Sequence, residues 1–312
     1  MHSAEWQAAA SAMLRGTVPK RDRPGSTEWR PLGSSTLSTT WLLTADEQRY
    51  FVKTNAAARL SMFEAEADGL RAIEATHAIR VPHAIASGSA GGTAFLILEF
   101  LALETEGCSG VLGEALARLH RVSAPTFGWQ RDNTIGLTPQ GNTPSADWTT
   151  FWGERRLRPQ LELAAANGFR GRLQSLGAVV LERLPALLEG HRPAPSLVHG
   201  DLWGGNWACT SAASPCPGAA GAGGERAAAH EPVIFDPAVY YGDRETDLAM
   251  TELFGGFDRA FYAAYERSWP LDAGYPRRRP LYQVYHVLNH LNLFGAAYLR
   301  RAEAMLGALS TA

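Results

Sequence analysis

The chain has 312 residues, with 29 Lys and Arg against 31 Asp and Glu, and 46% of its residues are hydrophobic, enough for one large or two medium folded domains. A formal charge of -2 leaves no basic excess for gripping a phosphate polymer, which argues against nucleic acid as the main partner. The longest apolar run, Thr93 to Leu103, is broken by Glu99 and falls far short of the roughly 20 residues that span a bilayer, so no membrane partner is expected.

Met1 to Met13 carries Glu5 and Gln7 among alanines and lacks a basic start followed by an apolar core, so it does not read as a signal peptide; a cytoplasmic monomer is expected. Residues 5 to 15 have helical composition. Arg21 to Ser35, rich in Pro, Gly and Ser, reads as irregular chain leading into strands. Trp41 to Thr44 and Tyr50 to Lys53 then form an antiparallel hairpin across a polar turn. Leu60, Phe63, Ala67, Leu70 and Ile73 recur at helical spacing, which predicts an amphipathic helix over about 59 to 75. Val81 to Ser87 and Thr93 to Glu99 make a second hairpin, joined through Gly88 to Gly92.

From Gly110 the pattern turns helical, with long apolar periodicity in Val111 to Arg121, Asp147 to Ala166, Arg170 to Leu188 and Tyr282 to Ala304. An α+β protein of two lobes follows, a small antiparallel sheet with one main helix over 1–101 and a larger, mostly helical lobe over 102–312, the chain crossing near Glu99 to Leu103. Thr210 to Glu231, dominated by Ala, Gly, Ser and Pro, reads as a flexible surface insertion. Cys108, Cys209 and Cys216 match no zinc spacing and cannot build a disulfide framework, so free thiols are expected.

The chemistry concentrates in Leu197-Val198-His199-Gly200-Asp201-Leu202-Trp203-Gly204-Gly205-Asn206-Trp207. An Asp followed five positions later by an Asn, on a loop after an apolar run, is the catalytic-loop arrangement of kinase-like phosphotransferases: Asp201 takes the acceptor hydroxyl's proton and Asn206 holds magnesium. A second acid, Asp236, ends the apolar run Val233-Ile234-Phe235 and offers the metal a carboxylate oxygen. Lys53 ends a predicted strand and can reach nucleotide phosphates if an acid orients it. Of the two candidates on the helix, Glu66 lies in line with Phe63, Leu70 and Ile73 on the apolar face, whereas Glu64 does not, so Glu66 is assigned to Lys53. Leu32 to Ser38 stands where a turn covers the phosphates, with Gly33, Ser34 and Ser35 offering accessible amides, and no P-loop motif is present.

These residues, together with Asp132-Asn133-Thr134-Ile135-Gly136, Pro139-Gln140, Asp236-Pro237-Ala238, Tyr241-Gly242-Asp243-Arg244-Glu245 and Leu288-Asn289-His290, run in order over nearly the whole chain and resemble the fructosamine (ketosamine) kinase family. That family lies within the protein-kinase-like superfamily that also holds aminoglycoside and choline phosphotransferases. The resemblance implies a two-lobed kinase-like fold, ATP and Mg2+, and transfer of phosphate to O3 of a ketosamine, that is, deglycation. It makes Asp201 the base, Asn206 and Asp236 the metal ligands, and Lys53 and Glu66 the phosphate pair. Gly33, Ser34 and Ser35 of the turn, with Glu99 and Leu101 of the crossing, complete the nucleotide's neighbours, and Trp203 walls the acceptor. Thr36 stands where some members carry a Cys, so no redox control is expected through that turn. The competing readings are an aminoglycoside- or choline-type phosphotransferase and a nucleotide-binding pseudokinase.

Four further expectations concern nearby residues. Asp247 reads as the N-cap of a helix starting at Leu248, supporting the catalytic loop as the resemblance implies. Arg244 and Glu245 read as a loop salt bridge. Arg277 to Arg279 read as a solvated charge run, and His286 and His290 as ordinary helix residues.

Overall fold

The computed structural model describes residues 2–17, 27–34, 38–104, 107–211 and 230–312. In chain order these form α1 (His2–Thr17), β1 (Thr27–Ser34), β2 (Thr39–Ala45), β3 (Gln48–Ala56), α2 (Leu60–Ala75), β4 (Ala84–Ala90), β5 (Thr93–Glu99), β6 (Leu103–Glu104) and α3 (Ser109–His120). There follow β7 (Asn133–Ile135), β8 (Thr138–Gln140), α4 (Trp148–Trp152), α5 (Arg158–Ala166), α6 (Arg172–Leu187), β9 (Ser196–Val198), β10 (Trp207–Ser211), β11 (His230–Ile234) and β12 (Tyr240–Gly242). Four helices close the chain: α7 (Glu245–Leu253), α8 (Arg259–Ser268), α9 (Tyr275–Phe294) and α10 (Leu299–Thr311). Two compact units result, Met1–Leu112 with Trp207–Asp236, and Gly113–Asn206 with Pro237–Ala312.

In the first unit a five-stranded antiparallel sheet has the order β1-β2-β3-β5-β4. Trp6, Ala10 and Leu14, one helical turn apart on α1, pack on Leu43, Val52 and Phe95, with Trp29 edge-on and Trp41 tilted against Trp6 at 4.9 and 5.5 Å between ring centroids. The predicted hairpins and helix are present as β2-β3, α2 and β4-β5. Gly91 and Gly92, at φ 56° and 78°, supply the two left-handed residues of a tight hairpin turn, so β4 extends through Ala90. The stretch expected to be irregular contains strand β1 over 27–34, while 21–26 and 35 lie outside the described residues. Its almost wholly exposed residues and Pro31 hid the strand from pattern reading; an edge strand tolerates the missing N–H, and the register shifts between Pro31 and Gly33.

A second sheet, β11-β10-β6, pairs Trp207 with Ile234 through to Ser211 with His230, so both ends of the expected insertion are strands and only 212–229 lie outside the described residues. The same sheet sets Cys209 opposite Glu104, and Cys209 is bonded to Cys108, the Cα atoms 6.0 Å apart. The expectation of free thiols is therefore corrected for these two cysteines. Their separation of 101 residues gives no signal in local spacing; the β10-β6 pairing brings them together.

In the second unit, helices α4 to α7, α9 and α10 enclose a core that includes Phe127, Trp148, Phe151, Trp152, Leu184, Met250, Leu288 and Leu306. Asp147 caps α4 by accepting from the Thr150 amide at 2.7 Å, and a π-helical turn over Gly153–Leu157 carries the chain into α5. The single helix expected over 282–304 is two: α9 begins earlier, and Gly295, at φ 86°, ends it before α10. Among the described residues no helix is long and apolar enough to cross a membrane.

Candidate active site

Within the first unit, β3 brings Lys53 into the interior, where Nζ donates to Glu66 Oε1 at 2.7 Å and to Asp236 Oδ1 at 2.5 Å. Burial of an ammonium opposes its charge, but the two carboxylates outweigh that penalty and hold Lys53 above the ordinary lysine range. Glu66 reaches this position because it shares the inner face of α2 with Phe63, Leu70 and Ile73, while Lys53 pairs with Glu66 and not with Glu64. Asp236 stands at φ 57°, a left-handed backbone before a proline, where the following ring normally favours extended chain. Such an outlier persists where its surroundings fix it, and the Lys53 ion pair is one such restraint.

The flanking candidates are less committed. Gly33 and Ser34 end β1, with Ser34 Oγ 3.5 Å from Thr39 Oγ1; Ser35 and Thr36 lie outside the described residues. The Glu99 carboxylate accepts from Arg80 Nη2 at 2.5 Å and from the His83 amide at 3.2 Å, and Leu101 is buried.

The candidate catalytic loop of the second unit is fixed by a chain of backbone restraints. Asp247 is almost fully buried, and its carboxylate accepts from the amides of His199 at 2.7 Å and Gly200 at 2.8 Å and from His120 Nε2 at 3.1 Å. Burial would raise this carboxyl, yet its hydrogen bonds from His120 and the Gly200 amide bring it below the usual aspartate range. Asp247 lies inside α7, in its first turn, so it is not the N-cap expected; its support of the loop is direct. Gly200 has φ 83°, and a Cβ there would sit 2.1 Å from the Ala238 carbonyl oxygen, so only glycine fits. The Asp201 amide donates to His199 Nδ1 at 3.2 Å, and Asn206 Nδ2 donates to the Asp201 carbonyl at 2.9 Å, which leaves the Asn206 Oδ1 as its oxygen donor for a cation.

Trp203 is 42% exposed, and its indole lies so close over Gly205 that a Cβ there would come within 2.3 Å of the ring. The indole thus rests on the loop's own backbone and offers solvent an apolar surface. Gly204 and Gly256 are in close backbone contact, and the neighbouring Phe254, 37% exposed, stacks on His290 at 4.6 Å.

Several residues make contacts that their local sequence did not indicate. Asn133 Nδ2 donates to the Val239 carbonyl at 2.8 Å, and Gln140 Nε2 donates to Asn133 Oδ1 and the Ala238 carbonyl, so this pair clamps the segment after Pro237. Arg156, buried in the π-helical turn, donates to Asn142 Oδ1 at 2.7 Å and stacks on Tyr240 at 4.0 Å. Tyr240 is a core residue, while Tyr241 is half-buried. The expected Arg244–Glu245 bridge is replaced: Glu245 accepts from Arg278 at 2.7 and 2.8 Å, and Arg244 donates to the carbonyls of Trp269 and Pro270. The solvated charge run is corrected for two of its three residues, since Arg278 is buried and Arg279 pairs with Glu252, while Arg277 is exposed. Only the tertiary fold supplies these partners.

Comparison with known proteins identifies the family. The chain is 43% identical over 307 residues to a probable ketoamine kinase of Synechocystis sp., covering 97% of this chain and 96% of that one. It is 40% identical over 264 residues to the chloroplastic protein-ribulosamine 3-kinase of Arabidopsis thaliana, covering 83% and 75%. A crystal structure named "Putative fructosamine-3-kinase", from Haemophilus somnus 129PT, superposes with a TM-score of 0.82 at 28% identity over 96% of both chains. The aminoglycoside phosphotransferase APH(4)-Ia shares the fold alone, with a TM-score of 0.59 at 14% identity over 97% and 98%. The sequence profile described as "Fructosamine kinase" matches residues 11–311, and with that span the kinase-like α+β chain belongs to the fructosamine kinase family.

Proposed function

We propose that the protein is an ATP-dependent kinase that phosphorylates a sugar hydroxyl, O3, of ketosamines such as fructosamine or ribulosamine adducts of amines, and so serves deglycation. Family membership over residues 11–311 carries this reading, and the relatives named as ketoamine and ribulosamine kinases support it. The presence of Lys53, Glu66, Asp201, Asn206 and Asp236 argues against a pseudokinase.

In this reading the Asp201 carboxylate accepts the proton of the acceptor hydroxyl as its oxygen bonds to the γ-phosphorus, and the bond from that phosphorus to the β-phosphate bridge breaks to release ADP. Asn206 and the loop bonds around Asp201 hold that carboxylate's backbone in place. Lys53, oriented by Glu66, contacts the α- and β-phosphates, while Gly33, Ser34 and Ser35 present amides and Glu99 and Leu101 line the base. The Glu99 side chain is occupied by Arg80, so its contribution is through its backbone. The donor set suits Mg2+: the Asp236 side chain is 46% exposed and adds a carboxylate oxygen to the amide oxygen of Asn206, both hard ligands. Bound there, the ion would neutralise charge on the phosphate oxygens. Trp203, exposed two residues after the base, offers an apolar face to a sugar ring.

The test is Mg2+-dependent ATP consumption with fructosyl-, ribulosyl- and erythrulosyl-amines, set beside hygromycin B, kanamycin and choline. Turnover with a ketosamine, lost by about 100-fold or more in Asp201→Asn with ATP affinity retained, is the expected outcome. Turnover confined to the aminoglycosides or choline, or a fully active Asp201→Asn, would overturn it.

A further inference from the structure

We propose that His120 and Tyr265 are positioning residues for phosphotransfer, the middle of a one-way hydrogen-bond relay that runs from Arg244 through Tyr265 and His120 to Asp247 and fixes the backbone of the catalytic loop. The proposal rests on Asp201 being the base.

The direction of the relay follows from what each group can do. Arg244 Nη1 lies 3.1 Å from the Tyr265 hydroxyl oxygen, and a guanidinium can only donate, so that oxygen accepts. One lone pair of that oxygen is thus taken, and its hydroxyl proton is free to point at His120 Nδ1, 2.8 Å away, which accepts it in the proposed relay. A histidine that accepts at Nδ1 carries its hydrogen on Nε2, and Nε2 lies 3.1 Å from Asp247 Oδ2. In this relay the imidazole donates from Nε2 to the carboxylate while a tyrosine from another helix holds Nδ1. Asp247 in turn holds the His199 and Gly200 amides, immediately before Asp201.

Every member of the relay's inner part is shielded from water, with His120 at 0% exposure and Asp247 at 1%, so no solvent replaces a lost bond. Arg244 is anchored independently at the Trp269 and Pro270 carbonyls and by its stack on Trp269 at 3.9 Å, which gives the relay a fixed origin. Tyr265 is brought to His120 by the approach of α8 to α3, close enough at Gly113 that a Cβ would meet the Phe261 carbonyl oxygen at 2.3 Å. Removing the Tyr265 hydroxyl frees His120 to place its hydrogen on Nδ1 and turn a lone pair toward the carboxylate. Asp247 then grips the loop less firmly although no residue touching substrate has changed.

The test compares Tyr265→Phe, His120→Gln and His120→Leu with Asp201→Asn, in the full chain. Glutamine keeps an N–H where Nε2 stood, and leucine keeps only bulk. Tyr265→Phe and His120→Leu are expected to lower kcat by about 10-fold with KM for ATP and ketosamine within about 2-fold, and His120→Gln to recover most of that loss. Amide hydrogen exchange over 196–202 should rise by about 3-fold or more in Tyr265→Phe without nucleotide. Wild-type kcat and exchange in Tyr265→Phe, with Asp201→Asn inactive, would overturn the relay and leave the kinase reading intact. Equal losses in Gln and Leu with raised KM would also overturn it, as those are the marks of a space filler. An active Asp201→Asn would remove the reading beneath it. Should the leucine variant fail to fold, Tyr265→Phe decides.

Discussion

In the first unit the buried cation is held by charge: Lys53 sits between Glu66 and Asp236, away from water. In the second, the loop from His199 to Asn206 is held mainly through its backbone, by Asp247 at two amides, Asn206 at a carbonyl and a glycine that no other residue can replace. The difference suits the work proposed for each. Lys53 faces phosphate, and a cation already matched by carboxylates exchanges one anionic partner for another without ever being buried unpaired. A general base instead needs a fixed position, which backbone bonds and steric fit supply without adding charge near the carboxylate whose basicity matters.

The largest effect that would test this contrast concerns a covalent fastening of the first unit. The Cys108–Cys209 bond closes a span of 101 residues, and in the chain-entropy account a loop of that size stabilises by up to about 4.7 kcal/mol. Urea unfolding of the oxidised protein against Cys108→Ala/Cys209→Ala should show a loss of several kcal/mol. No difference, together with titratable thiols at both Cys108 and Cys209 in the native protein, would show that charge and packing alone hold this unit.

Gly200→Ala is the corresponding blow to the second unit. A side chain there meets both the left-handed φ and the Ala238 carbonyl oxygen, and displacing that backbone should cost about 3 kcal/mol or more. Because the displaced atoms adjoin Asp201, turnover is expected to fall by about 100-fold while thermal stability drops in step. A stable variant with ordinary turnover would mean that the loop's geometry is not set by this contact.

A smaller effect separates charge from helix geometry. Glu66→Gln removes one of the two carboxylates holding Lys53, so kcat/KM for ATP should fall by about 30-fold, or about 2 kcal/mol, whereas Glu64→Gln should behave as wild type. Equal losses would contradict the role given to the Lys53–Glu66 pair.

How much of this was readable in the residues follows the same divide. Glu66 could be chosen over Glu64 because an apolar stripe on one helix fixes direction locally, and the hairpin carrying Lys53 declares itself by alternation. The loop's chemistry was readable as Asp201 and Asn206, five positions apart on one segment. What holds that loop was readable only in part: Asp247 was marked for loop support, though as a helix cap, whereas His120 and Tyr265 are distant in sequence and look like ordinary polar residues until α3, α7 and α8 pack. Arg278 looked solvated for the same reason, its partner Glu245 being 33 positions away. The disulfide depends on a neighbour 101 positions away across a sheet, and β1 escaped reading because its residues are almost wholly exposed and include Pro31.

The smallest effect concerns pH and belongs to the second unit alone. His286 is buried in α9, its Nδ1 is without a partner among the described residues, and burial pushes its pKa down from 6.5 to about 3. Above its unfolded value the residue is neutral in both states and has no effect. As pH falls below about 6.5 the unfolded chain binds a proton that the folded core refuses, so stability is lost progressively down to about pH 3. The slope for one such group is about 1.4 kcal/mol per pH unit, or about 1.4 kcal/mol by pH 5.5. His286→Leu, which cannot take up that proton, should therefore lose about 1.4 kcal/mol less than wild type between pH 7 and pH 5.5 in paired urea titrations. Groups common to both proteins cancel in the difference. A variant that loses as much as wild type would show that water or rearrangement reaches His286, and that this helix is less tightly closed than its packing indicates.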